Sequence, residues 1–173
     1  MTGAVHGDPA SCSQTGGALR RLASRITAAT GRAEHAGAAL DEVWSGRVAR
    51  ESGQRQRLLV DTARGVVAEL DRAGSALQEH ATDLAETLQE LRAIEESAAA
   101  AGLRVVDGRV ELPWGVRGVA DECAAAARES RRADLQAQLD RVVMLHARRR
   151  ARLCGSVEAA RAVLAEHATG LQR

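Results

Sequence analysis

Three histidines, His80, His146 and His167, are the residues of this sequence best suited to bind a metal ion or to respond to pH. They lie on or beside apolar stripes of predicted helices, where two of them could approach each other. A metal site would need nearby carboxylates or a second histidine one helical turn away, and no two histidines are spaced at i, i+4. We therefore predict neutral, buried or half-buried imidazoles, each bonded to a neighbouring group, and no metal site. A histidine in such a stripe can also set the register of helix packing.

The usual sequence arrangements of catalytic groups are missing. Lysine is absent, so a phosphate-binding loop lacks its cation, and no serine is framed as a nucleophile elbow. Neighbouring carboxylates such as Glu95 and Glu96 diverge on a helix. Cys12, Cys123 and Cys154 show no CxxC spacing, which disfavours a zinc site or a disulfide framework and fits reducing cytosol. We predict no catalytic residue, no cofactor, no small-molecule substrate and hence no enzyme.

The most basic segment lies in the last third of the sequence and includes Arg148, Arg149, Arg150 and Arg152. Acidic residues are interleaved with these arginines, and no aromatic side chain is available there to stack on a base. A solvated or partner-facing surface is therefore favoured over a nucleic-acid site. The whole chain has 24 arginines against 23 acidic residues, a net charge of +1, so it has no global field for nucleic acid or anionic lipid.

Composition favours long helices. The 173 residues are rich in Ala, Leu, Glu and Arg and include neither Phe nor Tyr, unlike all-β proteins. Lys and Asn are also missing, and because these four residue types have A/T-rich codons, a GC-rich genome such as an actinomycete's is indicated. No apolar stretch reaches the roughly 20 residues of a membrane span, and no signal-peptide core is present. Residues 1–13 lack periodicity and predict a flexible arm.

Two stripes of apolar residues predict two long helices that pack against other helices along their length. The first stripe alternates spacings of three and four, and the second repeats every seven residues. The first comprises Leu19, Leu22, Ile26, Ala29, Ala33, Ala36, Leu40 and Val43. The second comprises Ala63, Leu70, Leu77, Leu84, Leu91 and Ala98, with Val66, Ala73, His80, Thr87 and Ile94 between them. We expect the larger members of both stripes to form the helix-packing interface.

The pattern changes after the second helix. Residues 102–106 and 109–112 are short and β-branched, and the Asp107-Gly108 pair between them favours a type I′ hairpin turn. We expect Pro113 to close this hairpin and Trp114 to anchor it on the helices. A third helical pattern follows from about residue 119 to residue 167. The predicted fold is all-α: a long antiparallel helical hairpin and a third long helix, with a small β-hairpin insertion.

The two predicted helices meet at Trp44-Ser45-Gly46, where glycine permits a tight turn and the tryptophan can cover the start of the next helix. A Trp-x-Gly turn near residue 40, between a helix of about 30 residues and a longer one, resembles the WXG family of type VII (ESX) secretion substrates. The resemblance covers about residues 14–100. Small residues after the glycine, the missing signal peptide and the actinomycete-like composition are also similar to that family.

This resemblance implies a non-enzymatic protein that forms a homodimer or heterodimer with another WXG-like helical hairpin. It also implies a cytoplasmic protein with export, if any, through a type VII system. The family's export signal contains a tyrosine, which this sequence lacks, so a partner would have to supply it. The predicted segments are the arm (1–13), the WXG-like hairpin (14–101) and the β-hairpin with the C-terminal helix (102–173). Two alternatives remain: a nucleic-acid-binding or regulatory protein that uses the arginine-rich third helix, and a purely structural coiled coil.

Overall fold

A computed structural model describes residues 5–112 and 122–171 of the chain. Over these residues the fold is all-α with a small two-stranded antiparallel sheet, as predicted. The elements are α1 (Pro9–Val43), α2 (Arg47–Ala100), β1 (Arg104–Val106), β2 (Arg109–Glu111) and α3 (Glu122–Leu171). The predicted roles of Pro113 and Trp114, and the predicted start of the third helix, lie outside the described residues. None of the helices in the described ranges is long and apolar enough to cross a membrane.

The chain divides into two compact units. The strand-bearing unit consists of Met1–Pro9 and His80–Arg152, and the turn unit consists of Ala10–Glu79 and Leu153–Arg173. This division differs from the predicted boundary at residue 101, because each unit takes one part of α2 and one part of α3. Periodicity along one helix does not reveal which stretch of a distant helix it packs against.

The start of α1 corrects the predicted flexible arm of residues 1–13 at its described residues, 5–13; residues 1–4 lie outside the described ranges. The helix begins at Pro9, and Val5 is buried in the core of the strand-bearing unit. Asp8 followed by Pro9 is the order that favours a helix start, since aspartate suits the N-cap position and proline at the first helical position has no N–H to lose. The lack of periodicity around this proline had instead predicted irregular chain.

The predicted turn lies between α1, which ends at Val43, and α2, which begins at Arg47. The backbone N–H of Trp44 still donates to the carbonyl of Leu40 at 2.9 Å, so the last turn of α1 is closed. Gly46 has a φ of 111°, which only glycine adopts readily, and its carbonyl accepts the first bond of α2 from Arg50 at 3.2 Å. Gly46 therefore ends one helix and caps the next.

The second predicted stripe is the buried face of α2. In the strand-bearing unit Leu84, Leu91, Ile94 and Ala98 are buried, and His80 and Thr87 complete the face. In the turn unit Leu70 and Ala73 are buried, while Ala63, Val66 and Leu77 are half-buried. Thr87 can occupy this face because its hydroxyl donates to the carbonyl of Asp83 at 2.8 Å.

The core of the strand-bearing unit joins α2, the hairpin and α3. Leu84, Leu135, Leu139 and Val110 are its largest fully buried side chains. The end of α2 turns into this core: Leu103 N–H donates to the carbonyl of Ala98 at 2.8 Å, around a Gly102 with φ 69°. This is a Schellman arrangement, in which the residue after the glycine returns to cover the last helical turn.

The β-hairpin forms at the predicted pair. Asp107 and Gly108 both have positive φ, 48° and 77°, as a type I′ turn requires. The register places Val105 opposite Val110, and these two side chains face the core on the same side of the ribbon. A two-stranded ribbon is marginal by itself, so its stability depends on this contact.

Candidate partner interface

Trp44 does not act as the buried cover that the sequence analysis predicted. Its side chain is 43% exposed, and the neighbouring Val43 is 82% exposed. Val48, in the first turn of α2, is exposed as well. Val43 is the last residue of α1 and Trp44 follows it. The turn therefore presents apolar side chains outward. The residues Trp44, Ser45 and Gly46 thus form a turn whose large side chain remains available to a second surface.

The predicted packing stripe of α1 is only partly the face that packs in this chain. Leu19 and Ile26 are half-buried, but Leu22, Leu40 and Val43 are exposed, as are the alanines of the stripe. The residues that α1 buries or half-buries are instead Pro9, Cys12, Gly16, Gly17, Leu19, Ala23, Ile26, Thr30 and Gly37.

The face that packs is therefore rotated from the predicted one by roughly a quarter-turn, at about 100° per residue. The two faces share only Leu19 and Ile26. The remaining predicted residues form a solvent-facing strip, which we name the α1 apolar strip: Leu22, Ala29, Ala33, Ala36, Leu40 and Val43. The apolar periodicity did not predict this rotation, because it does not include Gly16 and Ala23, whose small size allows close helix contact.

Between α1 and α2, the half of the hairpin nearest the turn is held by polar groups. The guanidinium of Arg64 pairs with the carboxylate of Glu34, and the amide of Gln56 donates to the carbonyl of Ala33. Small grooves of about 400 Å³ and about 360 Å³ lie on either side of the Arg64–Glu34 pair. Leu40 and Val43 take no part in this packing. In this half Ala49 and Val60 are buried beside the polar contacts, whereas Leu40 and Val43 remain exposed.

The start of α2 adds further apolar exposure. Val48, Leu58 and Leu59 are each more than half exposed. Val48 and Leu59 are eleven residues apart, about three helical turns, and so share one face of α2. Trp44 and these residues are the large exposed apolar side chains of the turn and the start of α2.

Two of the three candidate histidines come together. His80 of α2 and His146 of α3 face each other in the strand-bearing unit, with ring centroids 6.1 Å apart. Both are buried, as predicted for seam histidines. His167 lies elsewhere, in the turn unit, where its imidazole fills the space above Gly65: a Cβ there would lie 2.5 Å from Nε2.

The arginines of α3 are partly committed to carboxylates. Arg149 bonds Asp83 at 3.2 Å and approaches Glu86 at 3.7 Å. Arg132 donates to Glu129 at 2.9 Å, and this bond holds the pKa of the Glu129 carboxyl below its ordinary value. The arginine-rich face is thus interleaved with acid in space as well as in sequence.

The described ranges 5–112 and 122–171 contain no group of three or more His, Cys, Asp or Glu residues able to hold a metal ion. Cys123 and Cys154 lie on exposed helix faces, and Cys12 is half-buried. No family model matches this chain, and comparisons with curated proteins and with solved structures likewise find no match.

Proposed function

We propose that this protein is a non-enzymatic helical-hairpin protein that acts by binding a second helical hairpin through the α1 apolar strip and Trp44. The observation that carries the proposal is the exposure of Leu40, Val43 and Trp44, while the ion pair Arg64–Glu34 links α1 and α2 nearby. A helix that places its larger apolar side chains in solvent gains stability when a partner covers them.

The kind of partner follows from the shape of the strip. Leu22, Ala29 and Ala36 recur every seven residues, and Leu40 and Val43 continue the same face. Such a narrow stripe of apolar residues at helical spacing fits the side of another helix better than it fits a pocket ligand. The resemblance to WXG proteins suggests the same partner class, and we take the partner to be a WXG-like hairpin, either a second copy of this chain or a related protein.

Sedimentation velocity over a range of protein concentrations tests this interface. The chain should associate at micromolar concentration, alone or mixed with the product of its neighbouring gene. The double variant Leu40→Gln with Val43→Gln should sediment as a monomer, because it makes the strip polar while leaving the buried face of α1 intact. Glutamine is a good helix former, so the helix itself should persist.

Met144→Gln is the matched control, since Met144 is an exposed apolar residue on α3 outside the strip. This variant should associate as the unmodified chain does. A chain that stays monomeric at high micromolar concentration with and without the neighbouring product contradicts the proposal. Equal loss of association in the control and the strip variant also contradicts the assignment of the strip.

We further propose, on the resemblance alone, that the protein is cytoplasmic and is exported through a type VII system as part of a complex. Because the chain has no tyrosine, the export signal would belong to the partner. Culture supernatants of strains with and without the secretion ATPase test this: the protein should be found outside the cell only when the ATPase is present. Equal amounts in both supernatants would reject export while leaving the interface proposal intact.

A further inference from the structure

His80 and His146 form a buried pair whose polar atoms are incompletely satisfied. Their side chains face each other across α2 and α3 of the strand-bearing unit, with ring centroids 6.1 Å apart. The residues are 8% and 7% exposed, and the Nδ1 atom of each is buried without a hydrogen-bond partner. Buried polar atoms without a hydrogen-bond partner are few in folded proteins, and they often have a structural or functional reason.

The groups around the pair cannot neutralise a positive charge on it. From α3, the guanidinium groups of Arg149 and Arg150 disfavour a further cation at His146. From α2, the carboxylates of Asp83 and Glu86, one to two turns after His80, are paired with Arg149.

The segment before α1 also packs here. Val5 belongs to the surrounding core, and a Cβ on Gly7 would lie 2.8 Å from Leu84 Cδ2, one turn after His80. The titratable residues of this segment, His6 and Asp8, are exposed. The strand-bearing unit therefore surrounds the pair with apolar groups, engaged carboxylates and arginines.

Protonation of either imidazole would make the burial of the His80–His146 pair unfavourable. An imidazolium carries N–H on both ring nitrogens, so Nδ1 would become a buried donor with no acceptor. The charge would also lie beside the other imidazole and the two arginines, and burying an unpaired charge is far more costly than burying a neutral ring. Nearby metal ligands do not offer another explanation, because the described residues hold no group of three or more that could bind a metal.

We propose that the His80–His146 pair is an acid-sensitive latch, which holds α2 and α3 of the strand-bearing unit together at neutral pH and releases them as the solution becomes mildly acidic. Release exposes leucines of the core that joins these helices, among them Leu84 and Leu139. The latch does not depend on the α1 apolar strip or on any partner.

The direction of the pH effect follows from proton binding. Burial, His80, Arg150 and Arg149, in that order, lower the pKa of His146 below its ordinary value. The unfolded chain, with a histidine pKa of about 6.5, then takes up its proton at higher pH than the folded chain. Stability is therefore complete above about pH 6.5 and falls as the pH drops below it towards the lowered pKa of His146.

Urea unfolding of the full chain between about pH 8 and pH 5 tests the latch, above the range in which most carboxylates titrate. For each proton bound only by the unfolded chain, the unfolding constant should rise about tenfold per pH unit below pH 6.5. The double variant His80→Gln with His146→Gln cannot titrate at this position, and its pH profile should be flatter. His35→Gln, which removes an exposed histidine of α1, is the control and should keep the unmodified profile.

Two measurements on the unmodified chain keep the proposal testable if the double variant fails to fold. An NMR titration should place the pKa of His146 below the ordinary histidine value of about 6.5. Hydrogen exchange, corrected for its intrinsic pH dependence, should accelerate first in residues 84–98 and 135–149 as the pH falls. A pKa of His146 at or above the ordinary value, an unchanged pH profile in the double variant, or uniform exchange along the chain would overturn the latch.

Discussion

Gly16 of α1 and Gly74 of α2 bring two helix backbones into direct contact. A Cβ on Gly16 would lie 2.6 Å from the carbonyl oxygen of Gly74, and a Cβ on Gly74 would lie 2.8 Å from that of Gly16. Beside them Arg20 donates to Asp71 at 3.2 Å and to Gln78 at 3.0 Å. This close approach fixes which face of α1 packs on α2, and it leaves the α1 apolar strip outside.

Gly74→Ala should lower the free energy of unfolding by about 1–3 kcal/mol, because the new methyl group meets the backbone of Gly16 and the side chain of Arg20. Gly31→Ala is the matched control: its Cβ would meet nothing within 4 Å. That variant should gain up to about 1 kcal/mol from helix propensity. Urea unfolding of both variants measures this difference. A Gly74→Ala variant that is also stabilised would contradict the close contact between Gly16 and Gly74.

Gly46→Ala should destabilise the turn, since its φ of 111° is strained for any residue with a Cβ. We expect a loss of roughly 1–3 kcal/mol. Ser45→Ala, at the exposed neighbouring position, should change thermal unfolding by less than about 0.5 kcal/mol. Equal melting temperatures for the two variants would show that the conformation of Gly46 contributes nothing.

Trp44→Ala should cost about 1–2 kcal/mol of unfolding free energy, less than the 3–5 kcal/mol typical of a fully buried tryptophan. The reason is that 43% of the side chain is already in water. Leu70→Ala, a buried residue of the same unit, should cost about 2–5 kcal/mol. If the Trp44→Ala variant were less stable than the Leu70→Ala variant, the conclusion that Trp44 faces outward at the turn would be wrong.

Gln136 ties the β-hairpin to α3. Its Oε1 accepts from the N–H of Val110 at 2.7 Å, and its Nε2 donates to the carbonyl of Gly108 at 3.2 Å. Gln136→Ala should cost about 1–3 kcal/mol, because the N–H of a buried residue loses its acceptor. Amide exchange at Val110 should accelerate in this variant, and it should remain slow in the control Gln138→Ala. Unchanged exchange at Val110 would contradict a protecting role of this bond.

Elements with a strong local signal could be predicted from the sequence. The type I′ hairpin lies at Asp107-Gly108 because few residue pairs tolerate two successive positive φ angles. The helix junction lies at Trp44–Gly46 because a glycine interrupts two periodic runs. The buried face of α2 could be read from its heptads, since this helix packs along the same stripe throughout its length.

The helical class, the hairpin turn, the turn at Gly46 and the buried stripe of α2 were determined by the sequence itself, because each depends on residue propensities and spacings within one segment. Only the tertiary structure decided that α1 packs through Gly16 and Ala23, that Trp44 faces outward, and that His80 meets His146. These relationships join residues far apart in the chain. They depend on how closely two backbones approach, a distance set by side-chain volume on both helices and not by the periodicity of either one.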